Sequence, residues 1–264
     1  MSMSLRAARS VFSLFFFVAR KARKTRVFFL ISVLPVVVAL VVQASRIFSP
    51  GTEAGGPAIF SNVIMGFNLQ FLILVLSLFY GTSICSEELE GKTLTYLTTR
   101  PVSKSAIIAG KYAAFAVSLA VMIAANVIIS FVILNVDQGF DSAGALAMIK
   151  GLGVLILGLL AYMAFFAMVG TFLKKSILFG LFFSFGWENV VQYFPGSTQK
   201  FTIMHYLKSL LPVGSAGGGR FAFLTFRLEP SPPVAAIVTL LFLTALFLGA
   251  ACLIFSRKEY IFED

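Results

Sequence analysis

Three stretches, Tyr112–Leu134, Gly151–Leu173 and Val234–Phe255, each run for more than 20 residues without one charged side chain. About 20 apolar residues of helix cross a bilayer core about 30 Å thick. Inside lipid every backbone N–H and C=O must find a partner within the structure, so runs of this length are read as membrane-spanning helices. The remainder of the chain agrees. Of 264 residues, 59% are apolar and 12% charged, against about 45–50% and about 25% in soluble domains. A water-soluble globule is excluded, and so is intrinsic disorder. Cys85 and Cys252, the two cysteines, are too far apart in sequence and too few to make a disulfide scaffold.

Two further runs are read as spans. Val27–Val42 is shorter and holds Pro35, which membrane helices tolerate because neighbouring groups re-satisfy the freed carbonyl. Ile59–Tyr80 carries Asn62, Asn68 and Gln70 but no charge. A sixth segment, Ile177–Trp187, is short and runs into Glu188 and Asn189. From the residues alone it either crosses with Glu188 in its outer part or dips in and returns. The tally of Lys and Arg on each face does not choose between the two.

Seven of the 21 Lys and Arg fall within residues 5–26. On a helical wheel Arg6, Arg9, Arg20 and Lys24 share one side, and Val11, Phe12, Leu14, Phe15 and Val18 the other. Ten apolar residues cannot cross a bilayer, but they can lie in its surface. Residues 4–24 are therefore read as an interfacial amphipathic helix. The second basic cluster, Arg20 to Arg26, argues against a cleaved signal peptide. The net charge of +10 is distributed as cations set against anionic headgroups; nucleic acid is not expected as a partner.

Residues 86–111, SEELEGKTLTYLTTRPVSKSAIIAGK, are the one polar stretch long enough to fold between two firm spans. Glu87, Glu88 and Glu90 extend the second span past the membrane, and Gly91 interrupts it. Thr93–Thr98 suit a short helical turn that Arg100-Pro101 stops, because the residue before proline is pushed out of the α region. Ser103 suits the N-cap of the next helix. A partner gripping this transverse element could turn a push into a tilt of both flanking helices; an ordinary surface loop is the alternative.

Glu88, Glu90, Gly91, Thr93 and Leu94, then Arg100, Pro101, Val102 and Ser103, then Gly110 and Lys111, resemble the cytoplasmic signature of ABC-2 type transporter permeases, with Lys92 as an extra residue between Gly91 and Thr93. The layout is similar too: a basic surface helix, this loop after the second span, a broken fifth span and a charged end at Arg257, Lys258 and Glu259. The resemblance implies an all-α integral membrane protein of six spans, near 27–43, 59–84, 110–134, 150–173, 176–194 and 234–255. An outer segment would cover 195–233. Both termini would be cytoplasmic, in the inner (plasma) membrane. It also implies that residues 86–104 contact a separate ATP-binding cassette ATPase, through Glu87, Glu88, Glu90, Gly91, Thr93, Arg100 and Pro101. A second permease chain, identical or homologous, would complete the pathway, and the usual direction is export.

Catalytic chemistry is not expected in this chain. Gly91-Lys92-Thr93 imitates the end of a phosphate-binding loop, but the glycine required five residues earlier is Ser86, so no phosphate cradle forms. ATP is expected on a partner subunit, and no cofactor or metal in this one. The single His205 is read as a polar tip at the water–lipid boundary. Glu188 lies about 20 Å beyond Lys175 at 1.5 Å per residue. An acid at that depth is a candidate for a pathway or gate; the alternative is that Trp187 and Glu188 mark the headgroup boundary. Asn68 and Asn126 either line a path or bond helix to helix. Two rival functions stay open: a non-transporting membrane subunit that an ATPase drives mechanically against a periplasmic partner, and a lipid-modifying enzyme built on the acidic cluster.

Overall fold

The computed structural model describes residues 23–48, 56–90, 104–136, 141–173, 175–191, 197–211 and 231–257. Every regular element among them is helical. Helix α1 (Arg23–Phe48) runs through Pro35. Helix α2 covers residues 56–90; two π turns, Phe60–Ile64 and Asn68–Leu72, precede its regular part, Ile73–Glu90. Helices α3 (Lys104–Asn135) and α4 (Ser142–Phe172) follow. Helix α5 covers residues 176–190 as Ser176–Leu181, a π turn over Phe182–Trp187 and a last turn Glu188–Val190. A 3₁₀ turn, Ser197–Phe201, leads into α6 (Ile203–Leu210), and α7 (Pro233–Arg257) closes the bundle. The interfacial helix expected over residues 4–24 falls outside the described residues, except that Arg23 and Lys24 open α1.

Among the described residues, five helices are long and apolar enough to cross a membrane: α1, α2, α3, α4 and α7. Helix α5 is not, since its 15 residues rise only about 22 Å. The apolar surface left outside is what lipid would cover: Leu30 and Val41 on α1, Val121 on α3, Phe182 on α5 and Val238 and Phe242 on α7 are all exposed. Patches of this kind are rare on soluble proteins.

The core is the pair α2 and α4, and α3, α5, α6 and α7 all pack on α4. Glycine sets how closely α2 and α4 approach. A Cβ at Gly170 would sit 2.8 Å from the Thr82 carbonyl oxygen, and one at Gly81 would sit 2.9 Å from the Met163 carbonyl oxygen. Small residues drive helix association in lipid this way, because van der Waals contact replaces the missing hydrophobic effect. Ser77 adds a hydrogen bond to the Leu159 carbonyl (3.4 Å) across the same seam.

The two ends of the bundle are identified by their bonds. At one end the Tyr80 hydroxyl donates to Thr25 (2.9 Å), and the Cys252 thiol approaches the Ser105 carbonyl (3.9 Å). At the other, Arg46 reaches the Leu134 carbonyl (3.5 Å). Helices α4 and α7 therefore run in the same direction, with Phe165 stacked edge-on to Phe247 at 5.3 Å. The chain between them, residues 173–232, must return to the Arg46 end, although α5 is too short to do so alone.

Candidate functional site

Three groups of polar residues stand out against the apolar bundle. The first lies where α2 leaves it. The backbone of Glu87, Glu88 and Glu90 forms the last turn of α2, so the acidic triplet continues the second span without a break. Gly91, Thr93, Arg100 and Pro101 lie outside the described residues. Just below the triplet, Lys111 of α3 is 1% exposed, and its ammonium donates to the Ile84 carbonyl at 3.2 Å. A charged donor bonded to a carbonyl in a dry setting is among the stronger hydrogen bonds. It ties α2 to α3 six residues before Glu90. Lys111 matched the motif, but as a lone cation at the head of an apolar run it gave no sign of being buried.

The second group sits in the bulged part of α2. The Asn68 N–H bonds to the Met65 carbonyl, while the Asn68 side-chain amide reaches back to the Ile64 carbonyl at 2.8 Å. Its Oδ1 accepts from Asn126 of α3 at 2.8 Å, and Ser130 donates to the Asn126 Oδ1 at 3.4 Å. All three side chains are buried. Asn68 and Asn126 are thus brought together, 58 residues apart in sequence, in a bond that joins two helices, while the Asn68 amide N–H separately satisfies a backbone carbonyl of the distorted turn. π turns of this kind are frequent at functional sites.

The third group surrounds Glu188, which is 0% exposed. Its two carboxylate oxygens accept from the N–H groups of Ile203 (3.2 Å) and Met204 (3.3 Å), the first residues of α6. The Thr202 hydroxyl accepts from the next, His205, at 3.3 Å. A helix start leaves its first N–H groups without internal partners and carries a partial positive charge, so an anion here satisfies both. The buried phenol of Tyr162, on α4, lies beside the same carboxylate, and Lys208 of α6 adds an opposite charge nearby. Trp187 points away and is half-exposed.

Depth follows from α4. Its uncharged interval lies between Lys150 and Lys174, about 36 Å at 1.5 Å per residue. Tyr162 is at the middle of that interval. Gly158 is about 12 Å inside the Lys150 end, and a Cβ there would meet the Leu207 side chain at 2.8 Å. Helix α6 therefore lies beside the apolar part of α4. His205 is buried: its Nε2 is 3.0 Å from the Ser231 hydroxyl, and the Ser209 hydroxyl accepts from the Ser231 N–H at 3.2 Å. These bonds hold α6 to the start of α7. Sequence reasoning singled out Glu188 but neither Tyr162, Thr202 nor Gly158. The signal within reach was Thr202 directly before an amphipathic run, which suits an N-cap.

Residues 19–187 match the family model described as ABC-2 family transporter protein. The match covers more than half of the chain. It takes in α1 to α4 and the π turn of α5, and ends one residue before Glu188. No curated protein matches the sequence.

Proposed function

The chain belongs to the ABC-2 family transporter proteins, and from that membership we propose that it is the permease subunit of an ATP-binding cassette transporter. In this reading a separate ATPase hydrolyses ATP, and a second permease chain, identical or homologous, completes the pathway. The chain crosses the inner membrane six times with both termini cytoplasmic. The fifth crossing is the segment 176–194, with α5 rising from the cytoplasmic side. Movement is outward, so the transporter is an exporter.

The observation that carries this reading is the unbroken helix from the bundle core to Glu90. Residues 86–104 form the handle gripped by the ATPase. A push there is delivered to α2, which Lys111 holds to α3 through Ile84 and which Gly81 and Gly170 seat tightly on α4. Tightly packed helices transmit such displacement because cores of this density deform little. Glu87, Glu88, Glu90, Gly91, Thr93, Arg100 and Pro101 make the contact with the ATPase, and the charged residues among them do so by charge-assisted bonds.

Charge reversal tests the handle. Glu88→Lys or Arg100→Glu should lose co-purification of the ATPase, or keep the ATPase while losing stimulated hydrolysis. Normal recovery with normal stimulation in both variants would overturn the contact. Stimulated hydrolysis without movement of any solute would instead assign the chain to an ATP-driven mechanical role.

A further inference from the structure

The pair α5–α6 has a feature that membership of the family does not supply, because Glu188 and everything after it lie beyond the matched residues. Helix α6 has eight residues, too few for a helix to hold itself together in isolation. It nevertheless sits beside the apolar middle of α4, where backbone outside a full-length helix persists only if protein buries it. Three interactions hold it there. The Glu188 carboxylate takes two N–H groups at its start, Leu207 fills the space left by Gly158, and Ser209 and His205 bond to Ser231. The first joins α6 to α5, where Lys208 of α6 also sets its charge near the same carboxylate.

We propose that Glu188 is a positioning residue that seats α6 as a re-entrant plug in the bundle, so that releasing its carboxylate frees α6 to leave the slot beside α4. Breaking this one contact leaves the N–H groups of Ile203 and Met204 without acceptors at a depth where water is scarce. Their desolvation then favours withdrawal of α6 toward water over remaining in place. The slot itself survives, since α2 and α4 meet through Gly81 and Gly170 on their own. Helix α5 keeps its position through Gly180, which accommodates Leu78 of α2. The proposal predicts a local opening around α6, separable from any loosening of the whole bundle.

Thiol labelling of the full chain in membranes tests it. In a Cys85→Ala, Cys252→Ser background, which removes both native thiols, Met204→Cys places a thiol on the fully buried face of α6 and leaves the backbone bonds to Glu188 intact. Ala167→Cys, buried on α4, serves as the reference thiol, and a charged, membrane-impermeant maleimide is the probe. The expected result is slow labelling at both positions in the parent. With Glu188→Ala, labelling at 204 rises at least tenfold, and position 167 stays protected. Glu188→Gln, which keeps one neutral acceptor and the side-chain volume, should give a smaller rise of about threefold. Gly158→Leu fills the slot without touching Glu188 and should raise labelling at 204 by itself, which shows that the assay responds. Should Glu188→Ala fail to reach the membrane, the Glu188→Gln comparison decides. Parent-rate labelling at 204 in the Glu188 variants, or an equal rise at 167, would overturn the proposal. No ATPase or solute is required, so failure here leaves the permease reading standing, and failure of that reading leaves this result standing.

Discussion

Removing the bond between Asn68 and Asn126 decides whether these residues hold α2 to α3 or serve a pathway. The perturbation is a double-mutant cycle with Asn68→Leu, Asn126→Leu and both together; leucine keeps the branched side-chain shape and removes every donor and acceptor. Asn126→Leu deletes the 2.8 Å donor to Asn68 and the 3.4 Å acceptor for Ser130. Asn68→Leu deletes the shared bond and its own 2.8 Å bond to the Ile64 carbonyl. Side-chain hydrogen bonds between membrane helices average about 0.6 kcal/mol and reach about 1.7. The shared bond is short and fully enclosed, which sets the expected coupling in the upper half of that range, about 1–1.5 kcal/mol. Each single variant should then be destabilised by about 1–2 kcal/mol. The double variant should fall short of their sum by the coupling, close to a tenfold difference in the unfolding equilibrium. The assay is reversible unfolding in mixed detergent micelles, read by helical circular dichroism. Additivity within about 0.3–0.5 kcal/mol, the scatter expected of independent sites, would refute the structural bond. Unchanged stability with lost transport in both single variants would mark the two asparagines as pathway residues instead.

Other consequences are as concrete. Lys111→Met keeps the buried stem but drops the ammonium bond to Ile84, and should lower stability by about 1–2 kcal/mol in the same unfolding assay. In the assembled complex it should also weaken the response of transport to ATP; full coupling at unchanged stability would exclude the proposed tie. Gly170→Leu drives a side chain into the Thr82 backbone and should cost about 1–3 kcal/mol through overpacking. Gly153→Leu, on the same helix with open space around it, should be close to neutral; equal losses would show that α2 and α4 do not meet as described. Tyr80→Phe removes the hydroxyl that donates to Thr25, for which a melting-temperature shift of a few degrees at most is expected.

The long spans were legible because a run such as Gly151–Leu173 has one physical solution in lipid, whatever its neighbours. The short segment was legible only in part. Its length and its buried-depth acid could be counted from Lys175, but the partners of Glu188 are backbone N–H groups, which every non-proline residue carries and none advertises. The π turn that holds Asn68 has no local signature either. It depends on a carbonyl satisfied by a side chain and on Asn126, far along the chain. Gly81 and Gly170 sit among other glycines in apolar runs, and only the crossing of α2 on α4 distinguishes them. The burial of His205 was not legible, because it comes from the packing of α6 on α4 and α7, far apart in sequence. The acidic triplet was visible as charge at the end of a span, and its continuity with α2 follows from helix-forming residues through Glu90.

The central claim is that this chain is moved by an ATPase that it does not itself contain. Purification of the native complex through a tag after Asp264, followed by identification of every co-purifying chain, tests it most directly. The account predicts an ATP-binding cassette ATPase that is retained through the wash and released by Glu88→Lys. A chain recovered without any nucleotide-hydrolysing partner, and active on its own in vesicles lacking ATP, would contradict it.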